Sequence, residues 1–280
     1  GETGLAQFPL KVPRPFAARM EKGNWHDPLL RQVWPALQEA DPQPELVSDP
    51  LQEHRFNPAP GILQKYPGRV LLTAAPHCAI HCRYCFRRHF DYAANTLSRN
   101  QWQQSIARIA ADPGIEEVIL SGGDPLANSD QQLDWLLTRL EALPQLTTVR
   151  IHTRLPVVIP QRITTALVQR LAGSRLRAVL VAHVNHSREL DQQCHDNFST
   201  LAANSITLLN QSVILAGVND SYVALRELSE ALFRAHVLPY YLHLPDKVAG
   251  TAHFQVDESL ARELVAQLRA TLPGYLVPRL

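Results

Sequence analysis

The chain has 280 residues, and a chain of that length buries roughly three-quarters of its unfolded surface, so it needs no disulfide framework. Its 27 lysine and arginine residues almost balance its 26 aspartate and glutamate residues, which gives a formal net charge of +1. Such a balance does not indicate the excess of positive charge that is typical of proteins that bind duplex nucleic acid or an anionic membrane. The sequence has no run of about 18 apolar residues and no signal-peptide pattern at its start. We therefore expect a cytoplasmic protein.

Residues 1–69 are predicted to form an N-terminal arm, because this stretch contains 11 of the 21 prolines. Proline is disfavoured in helix interiors and in central strands. Short helices are therefore predicted around residues 15–22 and 28–37, joined by extended segments. The arm also carries apolar side chains, among them Phe8, Leu10, Val12, Phe16 and Leu29. These side chains predict an arm that packs against the rest of the chain.

Residues 70–280 alternate strand-like runs with stretches of helical period, which predicts an α/β domain of six consecutive βα units. The predicted strands are 70–73, 117–120, 148–153, 178–184, 206–214 and 238–244. The predicted helices are 99–111, 129–142, 161–171, 189–203, 221–235 and 257–271. Six such units require parallel strands with right-handed crossovers. Both a doubly wound open sheet and a complete or partial barrel satisfy this requirement.

Polar and reactive side chains follow every predicted strand. In either architecture, function lies just beyond the carboxyl ends of the strands. The segments at these positions are 77–88, 121–124, 152–154, 183–186, 210–212 and 243–246. They are rich in histidine, arginine, glutamine and cysteine, whereas ordinary connecting loops favour glycine, serine, asparagine and aspartate. The sequence therefore predicts one site at the mouth formed by these loops.

Three of the four cysteines, Cys78, Cys82 and Cys85, follow the first predicted strand with the spacing C-x3-C-x2-C. Such close spacing indicates a metal or cluster rather than disulfides in a cytoplasmic protein. A zinc site needs a fourth ligand, which His77, His81 or His89 could supply. An iron–sulfur cluster of four irons held by three thiolates leaves one iron open to a small chelating ligand. The remaining Cys194 lies in a predicted helix and is interpreted as structural.

The cysteine spacing resembles that of the radical S-adenosylmethionine (SAM) superfamily. Further segments resemble the lysine 2,3-aminomutase family within it. They are CAIHCRYCFRR at 78–88, LSGGD at 120–124, RLPVV at 154–158, LNQSV at 209–213, GVND at 217–220 and PYYL at 239–242. In the arm, FPLKVPRPF at 8–16 and KGNWHDPLLRQV at 22–33 resemble the family as well. The resemblance covers nearly the whole chain.

The resemblance implies a partial (βα)6 TIM-like barrel and an isomerase that uses a [4Fe–4S] cluster, SAM and pyridoxal phosphate (PLP). In this family the cluster reduces SAM to a radical, and the amino group of lysine moves from C2 to C3 on PLP. The sequence around the cysteines is most similar to that of the bacterial branch that makes (R)-β-lysine, which a ligase then attaches to elongation factor P. The implied partners are L-lysine and an electron donor, in a homodimer or a tetramer.

The resemblance also implies roles for individual residues. Cys78, Cys82 and Cys85 correspond to the cluster ligands. The positions implied to contact SAM are Ser121, Gly122, Gly123, Asp124, Arg154 and His183. Those implied to contact PLP are Arg69, Gln211 and Tyr66. Arg87 corresponds to the arginine that binds the substrate carboxylate, and Asp246 to the carboxylate that pairs with the ε-ammonium of lysine.

The lysine that anchors PLP in the family follows a Gly-Tyr-x-Val-Pro segment, which here is 274–278. The sequence stops two residues later, so we expect either that this lysine belongs to a segment beyond it or that PLP is held differently. Lys247 is the one lysine in a predicted strand-end loop and is a weak substitute, because Asp246 beside it already has a role. Two other functions stay open. One is a radical SAM enzyme acting on another amino acid such as glutamate or without PLP, and the other is a zinc-stabilised binding protein.

Overall fold

A seven-stranded sheet organises the chain in the computed structural model, which describes residues 8–41, 43–90 and 97–280. The strands are β1 (Ile62–Tyr66), β2 (Arg69–Ala75), β3 (Glu117–Gly122), β4 (Thr148–Thr153), β5 (Arg177–Ala182), β6 (Thr207–Val213) and β7 (Leu238–His243). They lie in the order of the sequence, and every neighbouring pair from β2 to β7 is parallel. A doubly wound sheet would reverse its strand order at a switch point. The sequential order with β1 and β7 at the edges is that of an open, partial TIM-like barrel, as expected.

Helices connect the parallel strands and cover one face of the sheet, whereas the arm helices precede the sheet and the last helix follows it. They are α1 (Arg14–Ala17), α2 (Pro28–Arg31), α3 (Arg99–Ala111), α4 (Asp130–Glu141), α5 (Leu155–Val158), α6 (Thr165–Ala172), α7 (Gln192–Ala203), α8 (Tyr222–Arg234) and α9 (Glu258–Thr271). Helix α6 begins later than predicted because Thr164 caps it by accepting from the amide of Leu167. Helix α7 likewise begins after Asp191, which accepts from the amide of Cys194. No helix in the described ranges is long and apolar enough to cross a membrane.

Strand β1 was not predicted from the sequence. It pairs antiparallel with β2, with Ile62 opposite Leu72 and Tyr66 opposite Arg69. The two residues between the strands include Gly68, whose φ of +81° is a left-handed conformation that glycine adopts without strain. Only the first two residues of β1 are buried, so the strand lacks the alternation that marks a half-buried strand in a sequence. The predicted start of the barrel at residue 70 falls inside this hairpin.

Phe16 and Leu29 of the arm are fully buried in the main hydrophobic core. Leu10 is an exception, since 42% of it is exposed. The two arm helices are shorter than expected, and the second ends at Arg31, four residues before Pro35. The main core lies between the sheet and its helices, where Val118 and Leu120 of β3 are fully buried. Residues that alternate with these along each strand, such as Ser121, form the inner face of the sheet, on the opposite side.

Candidate active site

The three clustered cysteines lie in the loop after β2, at the edge where the parallel strands end. Cys78, Cys82 and Cys85 are half-buried free thiols. Burial, followed by the charges of Cys85, Asp124 and Cys82, raises the pKa of Cys78. Burial and the charge of Cys82 raise the pKa of Cys85 to about 11. The thiols therefore lie close enough that the negative charge of one thiolate disfavours ionisation of the next. Bound iron is positively charged and would favour the thiolate forms.

Two histidines of the same loop bond to backbone carbonyl oxygens. Within the described residues, no three histidine, cysteine, aspartate or glutamate side chains converge on one ion position. Nδ1 of His81 lies 2.7 Å from the Pro9 carbonyl oxygen, and Nε2 of His89 lies 3.0 Å from that of Ala249. These ring nitrogens are occupied as donors, since a carbonyl oxygen only accepts.

Buried ion pairs attach the cysteine loop to the arm. Arg83 lies between two cysteines, is fully buried, and donates to both carboxylate oxygens of Glu39, with a distance of 2.8 Å from Nε. Arg88 donates to Glu39 as well, at 2.8 Å. Burial alone would raise the pKa of Glu39, but hydrogen bonds from Arg83, the Ala36 amide and Arg88 outweigh it, so the pKa is lowered. Glu39 thus holds the loop through two guanidinium groups.

The segment after β3 packs against the start of the cysteine loop. A Cβ on Gly123 would lie 2.2 Å from the His77 carbonyl oxygen, and one on Gly122 would lie 2.8 Å from that of Ala75. The amides of Gly123 and Asp124 donate to these carbonyls, at 2.8 Å from Ala75 and 2.9 Å from His77. Both glycines are therefore required by the protein's own backbone. Their contact with SAM stays a prediction.

Asp124 joins this segment to the loop after β4. Its carboxylate accepts from Thr153 Oγ1 at 2.6 Å, from the Arg154 amide at 2.7 Å and from the Leu126 amide at 3.0 Å. Burial raises the pKa of Asp124, and these hydrogen bonds lower it in part. Since the carboxylate is already well occupied, Asp124 acts on the site by fixing the positions of the two loops.

Arg154 connects the cysteine loop to a buried polar network. Its Nη1 donates to Cys82 Sγ and to the Tyr84 hydroxyl, each at 2.7 Å. Its Nη2 donates to Gln32 Oε1 at 2.7 Å and to Glu189 Oε2 at 3.0 Å. The Tyr84 hydroxyl also lies 2.8 Å from Nε2 of His183. The structure therefore brings Arg154 and His183, both predicted to contact SAM, to the cysteine loop.

Arg87 is buried and pairs with Glu53, an arm residue that the sequence did not single out. Its Nε and Nη2 donate to the two oxygens of Glu53 at 2.9 and 2.6 Å. Its Nη1 makes longer contacts, at 3.3 Å to Ser121 Oγ and 3.2 Å to the Gly122 carbonyl. Glu53 also acts on Asp246. Burial and then the negative charge of Glu53 raise the pKa of Asp246. Glu53 is therefore close to both Arg87 and Asp246.

The residues predicted to contact PLP lie on strands rather than in the strand-end loops. Arg69 begins β2, at the end opposite the cysteine loop, and its guanidinium lies 4.5 Å from the ring centre of Tyr66. Gln211 lies on β6, where its Nε2 is 3.3 Å from Nδ1 of His152. Lys247 is directed elsewhere, since its Nζ forms an exposed pair with Glu45 at 3.4 Å. The structure does not bring Arg69 and Tyr66 to the loops where the rest of the site lies.

Comparison with known proteins identifies the family. The family model of the Radical SAM superfamily matches residues 72–187 of this chain. The L-lysine 2,3-aminomutase of Escherichia coli (strain K12) is 50% identical over 280 residues, which is 100% of this chain and 82% of that protein. The L-lysine 2,3-aminomutase of Haemophilus influenzae is 49% identical, over 98% of this chain and 81% of that protein. The chain belongs to the L-lysine 2,3-aminomutase family.

A solved structure supports the fold alone. A radical SAM methyltransferase from Sphaerobacter thermophilus superposes with a TM-score of 0.56 at 16% identity, covering 76% of this chain and 67% of that chain. Membership of the family confirms the expected cofactors, which are a [4Fe–4S] cluster, SAM and PLP. The three grouped thiols fit the cluster, since thiolates are its protein ligands.

Proposed function

We propose that this protein is an L-lysine 2,3-aminomutase, an isomerase that converts L-α-lysine to β-lysine. The observation that carries the proposal is the loop of three half-buried cysteines at the carboxyl edge of the sheet, in a chain half-identical to L-lysine 2,3-aminomutases along its whole length. When bound, the cluster and SAM supply a radical and PLP carries the migrating amine. The chain's own residues bind these groups, orient the substrate and exclude water.

Arg87 is assigned to the substrate carboxylate. Glu53 already occupies its Nε and Nη2 edge with two short hydrogen bonds. Nη1 makes longer contacts with Ser121 Oγ and the Gly122 carbonyl oxygen, which a charged carboxylate can displace because charge-assisted hydrogen bonds are stronger. In this arrangement, Glu53 fixes the guanidinium plane while the opposite edge receives the substrate.

Two acidic side chains favour lysine over glutamate as the substrate. Asp246 is half-buried, and the charge of Glu53 reaches it strongly enough to raise its pKa. A lysine ε-ammonium placed here relieves the repulsion between the two carboxylates, whereas a glutamate side chain would add to it. The experiment is an anaerobic assay of the reconstituted full-length protein with SAM, PLP and a reductant, offered lysine or glutamate. We expect β-lysine from lysine, and β-glutamate as the main product would refute the substrate assignment.

Replacing Asp246 with asparagine is expected to raise KM for lysine roughly 10- to 100-fold, because one hydrogen bond to a charged group is lost from a half-buried site. Lys247→Ala is the matched control, since Lys247 pairs with Glu45 at the exposed surface. Steady-state kinetics of β-lysine formation measure both variants. An unchanged KM in the asparagine variant would remove Asp246 from the substrate site.

The finer assignments are proposals as well. We propose that the product is (R)-β-lysine used to modify elongation factor P, that the protein works in the cytoplasm as a homodimer or tetramer, and that a cellular electron donor reduces its cluster. The sequence of the motifs around Cys82 and in the arm supports the assignment of (R)-β-lysine for elongation factor P. Chiral chromatography of the product tests it directly, and (S)-β-lysine would contradict it.

A further inference from the structure

His152 presents a buried hydrogen-bond donor that the described protein leaves without a partner. The residue lies near the end of β4, where its register neighbour on β5 is Val181. The alternate positions, Val149 and Ile151, are buried in the helix-covered core, so His152 lies on the inner face of the sheet. Its Nε2 has less than 1 Å² of exposed surface and no hydrogen-bond partner within the described residues. An unpaired buried N–H is costly, and such groups in native proteins call for an explanation.

The partner of the other ring nitrogen determines which nitrogen carries the proton. Nδ1 of His152 lies 3.3 Å from Nε2 of Gln211, and an amide nitrogen only donates. Nδ1 must therefore accept, which places the proton of the neutral ring on Nε2. Burial, followed by the charges of Arg150, Arg87 and His243, lowers the pKa of His152 to about 3, so the ring is neutral. The unpaired Nε2 is thus an N–H donor directed away from Gln211.

The surroundings of this donor select an anionic acceptor. Arg87 and Arg150 both act on His152 as nearby positive charges. Arg150 pairs with Glu117 at 2.7 Å, whereas its Nε is a second buried donor without a partner among the described residues. Two unpaired N–H groups in a positive environment match a ligand rich in oxygen acceptors. PLP is such a ligand, with a phosphate and a ring oxygen.

We propose that His152 binds PLP directly, by donating its Nε2–H to an anionic oxygen of that cofactor, with Gln211 fixing the imidazole tautomer. The inference rests on the proposed function, since it takes PLP as the cofactor of the chain. It adds a binding residue on β4 to those that the sequence resemblance implies on β2 and β6. His152 is not a cluster residue, and its role is separate from the loop after β2.

The test is PLP binding to the full-length protein purified without PLP, measured by fluorescence titration in the absence of SAM and lysine. His152→Leu is expected to raise the dissociation constant about 10- to 100-fold, through loss of a hydrogen bond to a charged oxygen. His152→Gln retains an N–H near the Nε2 position and is expected to recover most of the affinity. His195→Leu is the matched control, because His195 lies on α7 outside the sheet.

Thermal unfolding separates binding from a structural role. Without PLP, the leucine variant is expected to be nearly as stable as the wild type, because replacing an unpaired donor by an apolar group offsets the loss of the acceptor for Gln211. With PLP, the wild type is expected to gain more stability than the leucine variant. If the leucine variant does not fold, His152→Phe provides a second apolar side chain of similar shape for the same comparison.

The outcomes distinguish this inference from the proposed function. PLP affinity that is unchanged in the leucine variant, or equally weak in the leucine and glutamine variants, would overturn the role of the Nε2 donor. If the wild type makes β-lysine in that case, the proposed function stands without the inference. If the wild type makes none but the leucine variant alone loses PLP affinity, the inference stands and the lysine assignment fails.

Discussion

Replacing Cys82 with serine is expected to reduce reductive SAM cleavage to background, a loss of at least about a thousandfold, because the cluster loses one of its three protein ligands. The same substitution removes the sulfur that accepts from Arg154 Nη1 at 2.7 Å. Iron and sulfide content, visible absorbance and 5′-deoxyadenosine release by chromatography measure the effect. Cys78→Ser and Cys85→Ser are expected to behave in the same way.

The matched control for the cysteine variants is Cys194→Ser. Cys194 is fully buried in α7, where its thiol lies 3.5 Å from the Pro156 carbonyl oxygen. Serine keeps a hydrogen-bond donor at this position, so the cluster content is expected to stay normal. A full cluster in the Cys82 variant, or loss of the cluster in the Cys194 variant, would contradict the assignment of the cysteine loop.

Replacing Glu39 with alanine is expected to lower the free energy of unfolding by about 3 to 5 kcal/mol, which is the usual cost of leaving a buried charge without its partner. Arg83 is fully buried, and both of its hydrogen bonds to a carboxylate go to Glu39. The substitution therefore leaves a buried guanidinium without its charged partner. Arg88 loses the same partner. Because Arg83 lies between Cys82 and Cys85, the cluster content is expected to fall as well.

Denaturant unfolding of the ligand-free protein measures the stability change. Glu45→Ala is the control, because Glu45 is 81% exposed in its pair with Lys247 and exposed pairs contribute at most about 1 kcal/mol. Glu39→Gln keeps the shape of the side chain and removes its charge, and it is expected to fall between the wild type and the alanine variant. Equal stability of the alanine variant and the wild type would show that the arm does not hold the cysteine loop.

The order of strands and the position of the cysteine loop were predictable because their signals are local. Runs such as Glu117–Gly122 show their pattern within six residues, and the cysteine spacing lies within eight. Strand β1 lacked such a signal, since only Ile62 and Leu63 of its five residues are buried. Its pairing with β2 depends on tertiary structure.

The arm's contribution to the site was not predictable for a related reason. Glu53 contacts Arg87 34 residues later, and Glu39 contacts Arg83 44 residues later. Within a proline-rich segment, such acidic residues resemble ordinary surface charges. Only folding reveals that they are buried beside guanidinium groups. The unpaired donor of His152 is likewise visible only when its neighbours on other strands are placed.

The measurement that tests the central claim most directly follows the nitrogen atom itself. Full-length protein with its cluster reconstituted would be incubated anaerobically with SAM, PLP, a strong reductant and lysine labelled with ¹⁵N at the α-amino group. The account predicts β-lysine that carries the label on C3, detected by mass spectrometry and NMR. Cleavage of SAM by a protein with an intact cluster, while the lysine remains unchanged, would contradict the aminomutase assignment.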